Sequence, residues 1–188
     1  MDKPGQKCYN IHNINWLRLT KTVNGTKTEY FSVGGQLLGE QTGSNKTVYM
    51  NNQNGQKFGF IYNGSYYMIN IQGDVIGIWD SSGNIVARYT YNAWGKPIAI
   101  TDGNGNDVSS NSSHIANINP IRYRGYYYDQ ETGFYYLLSR YYDPDVGRFI
   151  NADAFLGANG DLLSYNLFTY CSNNPINRSD PTGTVAIA

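Results

Sequence analysis

The side chains with the clearest capacity for chemistry lie in the last third of the chain. They are one arginine and two aspartates, Arg148, Asp153 and Asp161. Two close carboxylates cannot readily both ionise, so one can hold a proton while the other activates a water molecule. An arginine beside them can lower the pKa of a carboxylate or stabilise a developing oxyanion. These residue types are suited to acid–base hydrolysis if the fold brings them together.

Each of these residues also has a simpler structural use. Arg148 and Asp153 lie five positions apart and can form an ion pair. Asp161 can be the N-cap of a short helix that ends before Pro175, because aspartate is a preferred N-cap. The helix is indicated by the helical spacing of three side chains, Leu163, Leu167 and Tyr170. The sequence alone leaves both interpretations open.

The remaining reactive side chains are scattered. Cys8 and Cys171 match no zinc or Cys-x-x-Cys spacing and are most simply free thiols. His12 and His114 are isolated from any spaced set of metal ligands. The sequence therefore predicts no metal site and no cofactor.

The elements that must position these groups are visible as a tandem repeat over residues 122–149. Tyr127-Tyr128-Asp129 returns fourteen positions later as Tyr141-Tyr142-Asp143, and the turn glycine returns with it. Tyrosine suits a pleated, half-buried surface, while Asp, Pro and Gly supply the turns between strands. The repeat therefore predicts stacked β-hairpins, with Asp129 and Asp143 as turn residues.

The same cadence continues upstream from about Tyr30. Glycines of Asn-Gly and similar turns stand 9 to 12 positions apart, which is typical of an all-β meander. Strands are predicted at Lys57–Tyr62, Ser65–Ile71, Asp74–Trp79 and Ile85–Tyr91. A polar loop is predicted over 102–119. In the N-terminal stretch, Ile14, Trp16 and Leu17 suggest one short strand or an anchor that caps the sheet.

Composition excludes several function classes. Fourteen basic and fourteen acidic residues cancel, and no Lys/Arg run forms a footprint for nucleic acid. No apolar stretch approaches the roughly 20 residues that cross a bilayer, and no secretory signal is visible, so any export signal is expected elsewhere. At 188 residues the chain can bury its own core as one domain.

Several blocks of sequence resemble one known family. Residues 89–96, YTYNAWGK, look like a YD repeat, in which an aromatic strand enters a polar turn closed by glycine. Residues from about 122 to 183 resemble the rearrangement-hot-spot (Rhs) repeat-associated core domain. The matching blocks are RYRGYYYD, ETGFYY, SRYYDP, GRFINAD, NNPIN and DPTG.

The resemblance implies a specific architecture and activity. Proteins of this family build a long β-sheet that spirals into a hollow shell, and their core domain closes one end as a plug that curls inside. The shell encloses a variable C-terminal toxin in bacterial polymorphic toxins and insecticidal Tc complexes, and teneurins share the shell. The core domain is also similar to an aspartic autoprotease that cuts just after an Asp-Pro-x-Gly-Leu motif.

Carried over residue by residue, the resemblance assigns a candidate site. Arg148 and Asp153 match the family's arginine and first aspartate, and Asp161 is the candidate second carboxylate. The cleavage motif is carried by Asp180, Pro181, Gly183 and Thr184, with the cut expected beside Gly183 and Thr184. Two positions depart from the family pattern, because Ala154 replaces the usual proline after the aspartate and Thr184 replaces the usual leucine.

We therefore expect an all-β fold: an antiparallel YD/RHS-repeat meander that is part of a β-shell, with a short C-terminal helix and an inward-curling plug. The predicted divisions are 1–29 as a cap or strand, 30–119 as YD-repeat sheet, 120–184 as core domain and 185–188 as a tail beyond the cleavage site. The expected function is the structural core and plug of a secreted or cell-surface bacterial protein. Its partners would be upstream YD/Rhs repeats or toxin cargo.

Two other functions stay open at this stage. One is active aspartic autoproteolysis near Gly183 and Thr184, with loss of the residues that follow. The other is a carbohydrate- or surface-binding module, because exposed tyrosines can stack on sugars such as cell-surface glycans.

Overall fold

The computed structural model describes residues 6–69, 73–153, 166–184 and 186–187. In this part of the chain, two antiparallel sheets follow one another, with ten strands and then four, each strand paired with its neighbours in sequence. The strands of the first sheet are β1 Cys8–His12, β2 Arg18–Val23, β3 Thr26–Val33, β4 Gln36–Thr42, β5 Asn45–Asn51, β6 Lys57–Tyr62, β7 Ser65–Ile69, β8 Gly77–Asp80, β9 Ile85–Tyr91 and β10 Pro97–Asp102. The second sheet contains β11 Tyr127–Asp129, β12 Phe134–Leu137, β13 Arg140–Asp143 and β14 Arg148–Phe149. This architecture confirms the predicted all-β meander.

A recurring turn closes many of the hairpins. After β8, one carboxylate oxygen of Asp80 accepts the backbone N–H groups of Ser82 and Asn84, both at 2.9 Å. Gly83 then adopts a φ of 82°, which an L-residue with a side chain adopts only with strain. Equivalent turns begin at Asn52, Asn92 and Asp102. The regular spacing of Asx and Gly in the sequence therefore sets the hairpins.

The second sheet has the register that the tandem repeat predicts. Tyr128 lies opposite Tyr135, Tyr135 opposite Tyr142, and Tyr142 opposite Phe149, so one aromatic row crosses all four strands. Tyr135 and Tyr142 are fully buried, and the ring of Tyr170 stacks on Tyr142 with centroids 4.0 Å apart. Cross-strand aromatic pairs of this kind stabilise a sheet more than their buried area alone.

Tyrosine hydroxyls join the second sheet to a turn of the first. The hydroxyls of Tyr123, Tyr135 and Tyr142 donate to the backbone carbonyls of the Ala93-Trp94-Gly95 turn, at 3.0, 2.8 and 2.7 Å. Ring carbons of Tyr123 also lie so close to Gly95 that an added Cβ would approach them to 2.4 Å. The Ala93-Trp94-Gly95 turn is thus one point where the second sheet attaches to the first.

The inward faces of the two sheets form the core. One buried cluster joins the first sheet to residues that follow it, and its members are Tyr49, Phe60, Ile69, Val75, Ile78, Ala87, Tyr89, Ile100, Ala116 and Ile121. A second cluster belongs to the repeat-associated segment, with Tyr123, Tyr126, Tyr135, Leu137, Tyr142, Phe149, Tyr170 and Cys171. Residues 115–127 therefore pack against the buried face of the meander.

Three local expectations differ from the structure. The sheet begins at Cys8, well before Tyr30, and Ile14 and Trp16 lie exposed in the turn between β1 and β2. The loop predicted over 102–119 contains a four-residue helix, α1 Ile115–Ile118, because the His114 ring accepts the N–H of Ala116 and caps it.

The predicted C-terminal helix differs as well. Asp161 and Leu163 lie outside the described residues. Leu167 lies in a turn and Thr169 in an isolated β-bridge, and a three-residue 3-10 helix follows at Cys171–Asn173. The Thr169 bridge to β14 uses backbone groups that a helix would have kept for itself.

Candidate active site around Arg140

A buried arginine lies at the centre of the candidate site. Arg140 is the first residue of β13 and follows the tight turn made by Leu138 and Ser139, where Leu138 has a φ of 60°. Arg140 is only 6% exposed and its guanidinium carbon lies 3.6 Å from the centroid of the Phe149 ring. Burial of this kind is costly for a charged group unless it is paired.

Two aspartates supply the pairing. The Nη2 atom of Arg140 lies 2.9 Å from a carboxylate oxygen of Asp153 and 3.3 Å from one of Asp180. The Nη1 atom donates to the carbonyl of Leu167 at 3.0 Å, and the same carbonyl accepts the N–H of Asp153 at 2.9 Å. Burial lowers the pKa of Arg140, and attraction to the two carboxylates only partly offsets this. Arginine nevertheless keeps its charge.

The segment that follows Asp180 docks on this hairpin through its backbone. Ser139 Oγ donates to the carbonyls of Thr182 and Gly183 at 2.7 and 2.8 Å, and Arg140 Nε donates to the Gly183 carbonyl. Gly183 has a φ of 72°, and an added Cβ would meet the Leu137 carbonyl at 2.6 Å. Only glycine fits this position without displacing backbone.

The peptide bond between Gly183 and Thr184 therefore has a charged group at each end. Arg140 contacts its carbonyl oxygen, while the amide N–H of Thr184 donates to Asp180 Oδ1 at 3.0 Å. Asp180 is 2% exposed, and its own N–H donates to the Tyr126 hydroxyl at 2.9 Å. The site thus holds this bond in one fixed orientation.

The structure brings together part of the site predicted from the sequence. Asp153, Asp180, Gly183 and Thr184 all contact Arg140 or one another, and Pro181 lies exposed beside them. Asp161 lies outside the described residues.

The described ion pair of Asp153 is with Arg140, whereas the sequence analysis considered Arg148 as its partner. Phe149 points into the core below Arg140, so its neighbour on β14, Arg148, points to the opposite face and is exposed. Arg140 itself was missed by the sequence analysis. Its signal was strand alternation, which places Arg140 on the same face as the buried Tyr142.

The model of the family described as RHS Repeat matches residues 72–107. The tRNA3(Ser)-specific nuclease WapA of Bacillus spizizenii is 41% identical over 172 residues, which is 88% of this chain and 7% of that protein. The tRNA nuclease WapA of Bacillus subtilis is 40% identical over the same coverage. This chain belongs to the Rhs/YD-repeat family.

A solved structure gives the same fold at lower identity. The crystal structure of TcdB2-TccC3-Cdc42 matches 94% of this Rhs/YD-repeat chain with a TM-score of 0.70 and 20% identity. The match covers 9% of that chain, so the present chain spans under a tenth of the length of these relatives. Among the residues described here, no helix is long and apolar enough to cross a membrane.

A second buried charge cluster links the two sheets of the Rhs/YD-repeat chain. Arg18 forms two hydrogen bonds with the carboxylate of Asp129, at 2.8 and 2.5 Å. Lys21 Nζ lies 2.8 Å from Asp129 Oδ1 and 2.9 Å from Glu131 Oε1. Burial opposes ionisation of Arg18, Lys21 and Asp129, but their mutual attraction outweighs it. The pKa of Lys21 is therefore raised and that of Asp129 lowered.

Aromatic rings enclose this cluster. The guanidinium of Arg18 lies over the rings of Tyr30, Tyr127, Tyr136 and Tyr141, with the Tyr136 centroid nearest at 4.2 Å. The prediction that Asp129 is a turn residue describes only its backbone, whose carbonyl accepts the N–H groups that close the turn. Its side chain instead joins the repeat-associated sheet to β2.

Proposed function

We propose that the chain is the structural core and plug of an Rhs/YD-repeat shell that encloses a toxin or acts at the cell surface. The observation that supports this most directly is the path of the described residues 115–153 and 166–184. Residues 115–127 pack against the core of the first sheet, and residues 180–183 dock on the Arg140 hairpin. A segment folded in this way would close one face of the sheet.

The proposal includes partners and a location. Upstream YD/Rhs repeats would extend the first sheet from the outer edge of β1, and toxin cargo would follow the docked motif. The two WapA relatives are nucleases by name, and the proposal places the present chain in a secreted or cell-surface protein. Carbohydrate binding stays an untested prediction, for which exposed tyrosines such as Tyr66 are the places to look.

A segment exchange tests the structural function. In Bacillus subtilis WapA, the 172-residue stretch that matches this chain is replaced by the corresponding part of this chain. We expect the hybrid to resist limited proteolysis as well as the parent protein, because the same contacts close the sheet. A WapA variant lacking the stretch is the negative control. Proteolysis of the hybrid at the rate of the deletion variant would contradict the proposal.

Aspartic autoproteolysis is the second candidate, and the geometry at the Gly183–Thr184 bond supports it. Arg140 is placed to stabilise the oxyanion that develops on the Gly183 carbonyl when water attacks. Asp180, once protonated, is placed to give its proton to the departing nitrogen of Thr184. Asp153, which contacts the same Nη2 atom of Arg140 as Asp180 does, would activate the water.

Intact-mass measurement tests this second function. We expect the purified chain to lose Thr184 to Ala188, because the bond broken is Gly183–Thr184. The Asp153→Asn variant should retain these residues, because asparagine cannot accept the proton from water. Asp145→Asn, which changes an exposed aspartate paired with Lys96, should be cleaved like the wild type. A wild-type chain that keeps its full mass would remove autoproteolysis and leave the structural function standing.

A further inference from the structure

The charge cluster around Asp129 has an unusual combination of groups. The amine of Lys21 contacts two carboxylates at once. Its Nζ atom lies 2.8 Å from Asp129 Oδ1 and 2.9 Å from Glu131 Oε1. The side chains are 9%, 2% and 12% exposed, in the same order. The amine therefore lies within hydrogen-bond distance of an oxygen of the carboxylate whose carbon it would attack, and water is largely excluded. Because the two groups are already held together, much of the entropy cost of a reaction between separate molecules is avoided.

We propose that Lys21 and Asp129 condense to an intramolecular isopeptide bond, with Glu131 as the group that moves the proton. Nothing in the function proposed above requires this bond. It would covalently join β2 of the first sheet to β11 of the second.

The reaction balances without any co-reactant. The ammonium of Lys21 gives one proton to Glu131, and the neutral amine attacks the Cγ atom of Asp129. Glu131 returns that proton to the departing oxygen, which takes a second proton from the nitrogen and leaves as water. One C–N bond forms and one C–O bond breaks, and no group is oxidised or reduced.

Arg18 has a defined part in this reaction. Its Nη2 atom holds Asp129 Oδ2 at 2.5 Å and its Nη1 atom holds Oδ1 at 2.8 Å. The oxygen nearest to Lys21, Oδ1, would leave, while Oδ2 would carry the negative charge of the tetrahedral intermediate against the guanidinium. Arg18 is thus an electrostatic stabiliser, comparable to the donors of an oxyanion hole.

The charge balance of the cluster also favours the product. Two cations and two anions are buried before the reaction, and Arg18 and Glu131 remain afterwards as one cation and one anion. Burying fewer charges is favourable, because each one loses hydration. The ion pairs keep the amine protonated, which slows the attack, so the bond is expected to form after folding rather than during it.

Peptide mapping of the natural-sequence chain tests the proposal. After prolonged incubation of the folded protein, protease digestion and mass spectrometry should find one branched peptide in place of the separate Lys21 and Asp129 peptides, lighter than their sum by one water. Lys21→Arg should give only unlinked peptides, because its guanidinium is a poor nucleophile. Glu131→Gln should slow the linkage strongly, since the proton carrier is lost.

The chain also provides a matched control. Lys27 and Glu29 form an equally short pair, at 2.6 Å, but both side chains are about half exposed. No linkage is expected between them, and Lys27→Arg should leave the linkage at Lys21 unchanged. An Asp-Gly sequence such as Asp102-Gly103 can also lose water, but this reaction gives no branched peptide. The branched peptide therefore distinguishes the Lys21–Asp129 linkage from it. Full recovery of unlinked Lys21 and Asp129 peptides from the folded natural chain would overturn the proposal.

Discussion

Replacement of Arg140 by alanine is expected to cause the largest loss of stability at the candidate active site. The guanidinium pairs with Asp153 and Asp180 and holds the Gly183 and Leu167 carbonyls. Without it, the buried carboxylate of Asp180 and the partly buried carboxylate of Asp153 would lose the cation that both contact. Removing one partner from a buried ion pair typically costs about 3–5 kcal/mol of unfolding free energy. Denaturant titration of the variant and the natural chain measures the difference.

Two comparisons make this result specific. Arg148→Ala removes an exposed arginine from the adjacent strand β14 and should change the unfolding free energy by less than about 0.5 kcal/mol. Arg140→Lys keeps the positive charge, but an ammonium lacks the planar set of N–H donors with which the guanidinium binds both carboxylates and a carbonyl. The lysine variant should therefore be more stable than Arg140→Ala and less stable than the natural chain. Equal stability of Arg140→Ala and Arg148→Ala would show that the motif after Asp180 does not depend on Arg140.

The features predicted most accurately from the sequence are those that depend on residues close together in the chain. The bounds predicted for β6 and β9, Lys57–Tyr62 and Ile85–Tyr91, match the structure, because a turn with Asx and Gly lies at their ends. The aromatic row of the second sheet follows equally from the repeat. In both cases the residues that determine the structure lie within about one hairpin of each other in the sequence.

The N-terminal strands were missed for a physical reason. The inward positions of β2 carry Arg18 and Lys21 where an ordinary strand has apolar side chains, so no hydrophobic alternation was visible. Those two residues are buried only because Asp129, more than a hundred positions away, pairs with them. A pattern that depends on so distant a partner cannot be read from one strand.

The candidate site shows the same limit. The motifs identified Asp153 and the segment from Asp180 to Thr184, but not which arginine serves them. Arg140 and Arg148 lie on antiparallel strands of one sheet, and alternation turns one inward and the other outward. That decision depends on register between β13 and β14, which only the folded sheet defines.

Removal of the Asp129 carboxylate is the second change with a large expected effect. In Asp129→Ala, Arg18 and Lys21 would remain buried, and the Lys21–Glu131 pair would be what is left of the charged link between the two sheets. We expect a loss of about 3–5 kcal/mol in unfolding free energy. The exposed pair Lys96–Asp145, with N and O 3.0 Å apart, is the control, and Asp145→Ala should cost at most about 1 kcal/mol.

The same carboxylate gives a pH dependence whose sign follows from its lowered pKa. Because the pKa of Asp129 in the folded protein lies below its ordinary value of about 3.9, its contribution is fully present above that pH. The contribution is lost as the pH falls through the lower, folded-state pKa. As the pH falls from about 5, the unfolding free energy of the natural chain should therefore decrease more than that of the Asp129→Ala variant. The comparison uses protein whose Lys21 and Asp129 peptides are known to be unlinked, and parallel pH profiles would show that the Asp129 carboxylate does not stabilise the contact between the sheets.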